Sequence, residues 1–180
     1  SRIALGMQEK VFMGNLSSRR DWGHAKDYIV GMYLILQQDE PEDYVLATGI
    51  TTEIREFVRM SFKELGLEIA FKGKGVDEKG FLVGVDEEVF TKSVGEQYLE
   101  SVKAKIADGK TILEIDPRYF RPTEVDLLIG DPTKAHEKLG WKPKYDLKGL
   151  VEDMMQSDIQ LMKKENYLKE GGFRVMNYFE

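Results

Sequence analysis

The chain has 180 residues, 32% charged and 42% hydrophobic, with a formal net charge of −6, which supports one domain with a core and argues against a nucleic-acid binder, since that needs a basic face. It contains no cysteine, which rules out disulfides, thiolate zinc sites and cysteine nucleophiles and fits a reducing compartment. With no apolar run near the ~18–20 residues of a membrane helix and no signal-peptide pattern at its start, it reads as a cytoplasmic globular protein without a membrane or nucleic-acid partner.

Ile3, Ala4 and Met7 look like the last turns of a helix begun earlier, interrupted by Gly6. Val11–Met13 reads as a short strand running into the turn at Gly14 to Ser18. From His24 to Gln38 the apolar residues Ala25, Tyr28, Ile29, Met32 and Leu36 fall at helical spacing, and Pro41 follows as a stop signal. Tyr44–Thr48 (YVLAT) is a short apolar run ended by Gly49, the pattern of a parallel strand buried on both faces. Thr51 or Thr52 is expected to cap a helix with Ile54, Phe57, Val58, Phe62 and Leu65 on one face and with Glu53 and Glu56 near its positive end. Leu67–Lys72 and Phe81–Val85 read as strands, Val94–Ile106 as a weakly periodic helix, and Thr111–Asp116 as an alternating strand. Asp131 and Pro132 open a short helix, Gly140 closes it, and His136 within it is expected to face solvent. Leu147 to Met162 is the clearest helix, with Asp146 as its cap and Leu150, Val151, Met154, Met155 and Met162 on one stripe. The class is α/β, although the few strands legible here are too few for a doubly wound sheet.

Catalytic patterns are missing. Gly73-Lys74-Gly75 followed by Gly80 has the wrong spacing for G-x-G-x-x-G and reads as a hairpin turn. No tyrosine is followed four residues later by lysine, the pair that would make a phenolate base. The two histidines, His24 and His136, lack metal-ligand spacing. What remains are groups that bind. Arg20 lies in a loop ahead of a helix, and Arg121 is fixed beside Pro122 with Glu124 three residues on. Arginines from two distant parts of the chain can clamp a pyrophosphate, and a carboxylate beside them can accept from ribose hydroxyls. The alternative is a solvated face in which Arg20 and Asp21 pair with surface partners and Arg121 pairs with Glu124.

Three stretches carry a resemblance: GNLSSRRDWGHAKDY from Gly14, LQQDEPEDYVLATG from Leu36, and RYFRPTEVDLLIGDPTKAHEKLGWKP from Arg118. In this order they resemble the GDP-mannose 4,6-dehydratases of the extended short-chain dehydrogenase/reductase superfamily, with the likeness weakest between Lys72 and Lys110. The resemblance implies the C-terminal, substrate-binding lobe of such an enzyme plus the last helix and strand of its Rossmann lobe. Residues 1–180 would form the nucleotide-sugar-binding portion, with 24–49 packing as part of the Rossmann lobe and the dinucleotide-binding portion lying before Ser1. It implies that Arg20 contacts the nucleotide diphosphate, that Arg121 and Glu124 face the GDP portion, and that Asn15 lies near the guanine. The family's catalytic residues and glycine fingerprint have no counterparts here, so this chain alone is expected to be inactive and to bind no cofactor. The complete enzyme would use NADP, act as a homo-oligomer, and convert GDP-mannose to GDP-4-keto-6-deoxy-mannose. A non-catalytic nucleotide-sugar binding module and a piece of a related sugar-nucleotide epimerase or reductase are the alternatives.

Overall fold

Apolar alternation builds the larger of two sheets in the computed structural model, which describes residues 1–125 and 127–175. Strands β4 (Leu67–Lys72) and β5 (Lys79–Val85) form an antiparallel hairpin. β5 pairs antiparallel with β6 (Thr111–Ile115), and β6 pairs parallel with β1 (Val11–Met13), giving the order β1-β6-β5-β4. Ile112 and Leu113 are adjacent on β6 and therefore point to opposite faces, yet both are fully buried, so the sheet is covered on both sides at this strand. The covering helices are α2 (Ile54–Glu64), which packs on β4, α4 (Leu99–Ala107), which packs on β5, and α6 (Leu147–Glu170), which packs on α2. Val58, Leu65, Leu67, Phe90, Val94, Val102, Ile159 and Met162 belong to this one core. The start of the chain joins it: Ile3, Ala4 and Leu5 are buried in a single turn that ends at Gly6, whose φ is 71°.

The second sheet was not legible in the sequence. β2 (Arg19–Asp21) lies between β3 (Thr51–Glu53), antiparallel, and β7 (Leu127–Leu128), parallel. Strands of two or three residues, reading RRD, TTE and LL, are too short to show a period from which to infer them. β3 also overturns the expected threonine cap. Helix α2 has Glu53 in the cap position with no side-chain bond; its first amides, Ile54 N and Arg55 N, donate instead to the carbonyls of Ser18 and Leu16.

Tyr44–Thr48 is not a strand. A strand exists only where a neighbour takes its N–H and C=O groups, and among the described residues no strand pairs with it. The segment is held by side chains: Asp21 accepts from Thr48 and Gly49, Lys134 donates to the Asp43 carbonyl, and Glu42 pairs with Lys134 and Lys138. The expected helix after His24 is present as α1 (Ala25–Leu36). The weakly periodic Val94–Ile106 stretch is an α-helix only from Leu99, as α4, and a helix not expected there, α3 (Glu87–Ser93), precedes it; the two are separated at Gly95, whose φ of 128° few other residues tolerate. α6 runs to Glu170, beyond the expected Met162, because no glycine or proline lies between Met162 and Gly171. α5 spans Thr133–Leu139 and closes on Gly140 in the left-handed conformation. Pro132 occupies its cap position, while Asp131 still accepts from Thr133 N at 3.0 Å.

Candidate functional site

The pairing of β1 with β6 continues beyond both strands and builds one wall of a cleft. Asp116 N donates to the Met13 carbonyl at 2.9 Å. Gly14 then passes so close to the Tyr119 carbonyl that a Cβ there would sit 2.6 Å from its oxygen. One residue on, the Asn15 side chain meets the Arg121 main chain twice, accepting from Arg121 N at 2.8 Å and donating to Arg121 O at 2.9 Å. The resulting cleft has a volume of about 390 Å³ and is lined by Asn15, Ile54, Arg118, Tyr119, Arg121 and Glu124 among others. Arg118 lies across the buried Asp116, with Nη2 2.6 Å and Nε 3.1 Å from its carboxylate. Those side-chain bonds, with the Arg118 amide, hold the Asp116 carboxyl below its ordinary range.

Arg20, from β2, bonds to Glu124, one of the residues that line the cleft. Its Nη2 lies 2.8 Å from Glu124 Oε1, and its Nη1 donates to the carbonyls of Val125 and Arg19, each at 2.9 Å. Both partners of the ion pair are largely buried, with side chains 22% and 16% exposed. The surface alternative, Arg121 with Glu124, is not formed: Glu124 takes Arg20. The Arg121 side chain is exposed on the cleft, in no ion pair among the described residues. Asn15, Arg20, Arg121 and Glu124 are thus brought into one connected network. One edge of the Asn15 amide is turned to the Arg121 backbone.

Two positioning groups escaped the sequence reading. Asp21, next to Arg20, accepts from Thr48 N, Thr48 Oγ1 and Gly49 N at 3.0, 2.6 and 2.8 Å. Asp27 accepts from Lys144 N and Tyr145 N while its carbonyl accepts from Trp141 Nε1, tying α1 to the segment ahead of α6. Nothing in local sequence marks an aspartate as an anchor for backbone more than twenty residues away. His24 caps α1: its Nδ1 accepts from Lys26 N, so Nε2 carries the proton toward Asp153 at 3.0 Å. Lys26 and then His24 hold the Asp153 carboxyl below its usual range. His136, expected to face solvent, is half-buried beside Trp141, with ring centroids 6.1 Å apart, because α5 turns it toward that tryptophan. No cluster of three or more potential metal ligands occurs among the described residues.

Solved structures with the same fold include RMD from Pseudomonas aeruginosa complexed with NADPH, at a TM-score of 0.55 and 18% identity over 89% of this chain and 39% of that one. Another is UDP-glucose 4-epimerase from Bifidobacterium longum in complex with NAD+ and UDP, at 0.54 and 16% over 88% and 37%. The α/β architecture is thus shared with a portion of each of these structures. Sequence is more particular. The family model for GDP-mannose 4,6 dehydratase matches residues 1–154, and the chain belongs to that family. The GDP-mannose 4,6-dehydratase of Yersinia enterocolitica is 46% identical over 97% of this chain and 44% of its own length. The Drosophila melanogaster relative is 47% identical over 91% and 36%. The chain spans less than half the length of these curated relatives.

Proposed function

We propose that this chain is the substrate-binding part of a GDP-mannose 4,6-dehydratase, a lyase that converts GDP-mannose to GDP-4-keto-6-deoxy-mannose. The observation that carries this reading is one small cleft lined by Arg121 and Glu124, with Arg20, from a distant part of the chain, bonded to that Glu124 beside it. Arg20 is pre-set by its three acceptors, and Arg121 offers a forked, charged donor to the cleft. Two such groups bind a diphosphate through charge-assisted bonds and fix the attached sugar for reaction. Glu124 stands beside them to accept from ribose hydroxyls through the oxygen that Arg20 does not occupy.

NADP as cofactor and a homo-oligomeric assembly belong to the proposed whole enzyme. When bound, NADP supplies reversible hydride transfer. This chain's own residues do not fit a dinucleotide: Gly73, Gly75 and Gly80 lie in the β4–β5 hairpin, not at a strand-to-helix turn, and residues 1–180 contain no Tyr-x-x-x-Lys pair. No hydride or proton step is therefore assigned to them, and the residues 24–49 are proposed to pack with the dinucleotide-binding lobe.

Calorimetry on the full-length protein tests the clamp. Arg121→Ala is expected to weaken GDP binding by roughly 10- to 150-fold, the range for a lost hydrogen bond to a charged group of about 1.5–3 kcal/mol. Unchanged affinity would remove Arg121 from the site. The 180-residue chain incubated with GDP-mannose and NADP is expected to yield no 4-keto product, and turnover would overturn the division of labour.

A further inference from the structure

The two arginines of the clamp are held by different devices. Arg20 is held at its tip, where Glu124 and two carbonyls receive the guanidinium. Arg121 is held at its root. Asn15 accepts from its N–H and donates to its C=O, and the two residues are 106 apart in sequence. Only one orientation of the Asn15 amide satisfies both bonds, because the flipped amide would set donor against donor and acceptor against acceptor.

The neighbouring chain adds to the constraint. Pro122 disfavours the helical region for Arg121, leaving extended backbone. The bonds to Asn15 then hold the atoms on either side of the Arg121 Cα, so the direction in which the side chain leaves the backbone is set. Asn15 is itself fixed, because Gly14 lies against the Tyr119 carbonyl and Met13 O receives Asp116 N. A rigid path therefore runs from β1 to the base of an exposed arginine.

We propose that Asn15 is a positioning residue, acting on the nucleotide only through the placement of Arg121 and not by touching the guanine. This inference rests on the reading of Arg121 as a diphosphate ligand.

A mutant cycle with two ligands tests it in the full-length protein. The wild type, Asn15→Ala, Arg121→Ala and the double variant are titrated with GDP and with guanosine, which lacks the diphosphate. Asn15→Ala is expected to weaken GDP about 3- to 10-fold, the scale of an ordinary lost hydrogen bond, and to leave guanosine within about 2-fold. In the Arg121→Ala background the GDP loss is expected to vanish, as coupled residues require. If Asn15→Ala does not fold, Asn15→Ser carries the same cycle. Weaker guanosine binding, additive losses in the double variant, or no GDP loss in the single variant would each overturn the proposal. An Arg121→Ala protein that binds GDP normally would bring down the clamp reading as well, so the two failures are told apart.

Discussion

The two sheets are stabilised in opposite ways. In the larger sheet, Leu67, Ile112 and Leu113 are fully buried, and the covering helices contribute Val58, Val102 and Ile159. Burial of that kind is non-directional and scales with area. In the smaller sheet the side chains of β2 bond to backbone: Arg19 donates to Thr51 O, Arg20 to Val125 O, and Asp21 accepts from the amides of Thr48 and Gly49. Each of those bonds has a direction and a fixed partner. The larger sheet therefore supplies stability and the smaller one directional contacts, and the proposed clamp draws on both, Arg20 from β2 and Arg121 through Asn15 just beyond the end of β1.

Substitutions can break this contrast in measurable order. Phe90 is fully buried in the apolar core, and Phe90→Ala is expected to cost about 3–5 kcal/mol in chemical denaturation. A loss under ~1 kcal/mol would mean the large sheet is not the main store of stability. Next comes Asp21→Ala, expected to cost about 1.5–3 kcal/mol by removing a charged acceptor. Hydrogen exchange should show the Thr48 and Gly49 amides losing protection while those of Ile112 and Leu113 keep theirs. Uniform loss across both sheets would contradict the separation.

α1 belongs to neither scheme, and it sharpens the comparison. Ile29, Met32, Tyr33 and Leu36 on it are 65%, 58%, 61% and 79% exposed. Apolar patches are seldom left bare, so the 180-residue chain is expected to self-associate in sedimentation experiments. Ile29→Lys with Leu36→Lys should abolish this while changing stability by less than about 0.5 kcal/mol per site. A wild-type chain that sediments as a monodisperse monomer would contradict this reading of the face.

The smallest effect concerns pH. Lys138 and Lys134 hold the Glu42 carboxyl at about 2, below its ordinary value of 4.5. A carboxyl depressed by folding adds stability above its unfolded value, and that contribution is lost as pH falls from about 4.5 toward 2. Glu42→Gln should therefore make melting temperature fall less steeply over that window. An identical acid limb would show that the contacts tying this segment to α5 do not contribute.

Legibility followed the same division. β4, most of β5, β6, α2 and α6 were readable because apolar residues recur at the period of the element that buries them; α1 was readable from the same spacing, although its apolar residues Ile29, Met32 and Leu36 stand exposed. Asp146 was readable as a cap because its bond to Gly149 N is local. Tyr44–Thr48 misled: its apolar composition fits a strand, yet pairing depends on what lies beside it. The site residues were named through a resemblance, and the structure gathers all four. Their division of labour was not readable, since Glu124 could pair locally with Arg121 but takes Arg20 from β2 instead.

By itself the sequence determined the α/β class, the main helices and the core strands, since each follows from spacing within a dozen residues. It also determined family membership through the wording of three stretches. Tertiary structure decided which polar groups meet. That Asn15 holds Arg121 by its backbone, that Glu124 holds Arg20 by its tip, and that Asp21 orders the segment before β3 all depend on contacts between distant residues. The physical reason is range: hydrophobic periodicity is a local signal, whereas a directional bond exists only once the fold has brought its two ends within about 3 Å.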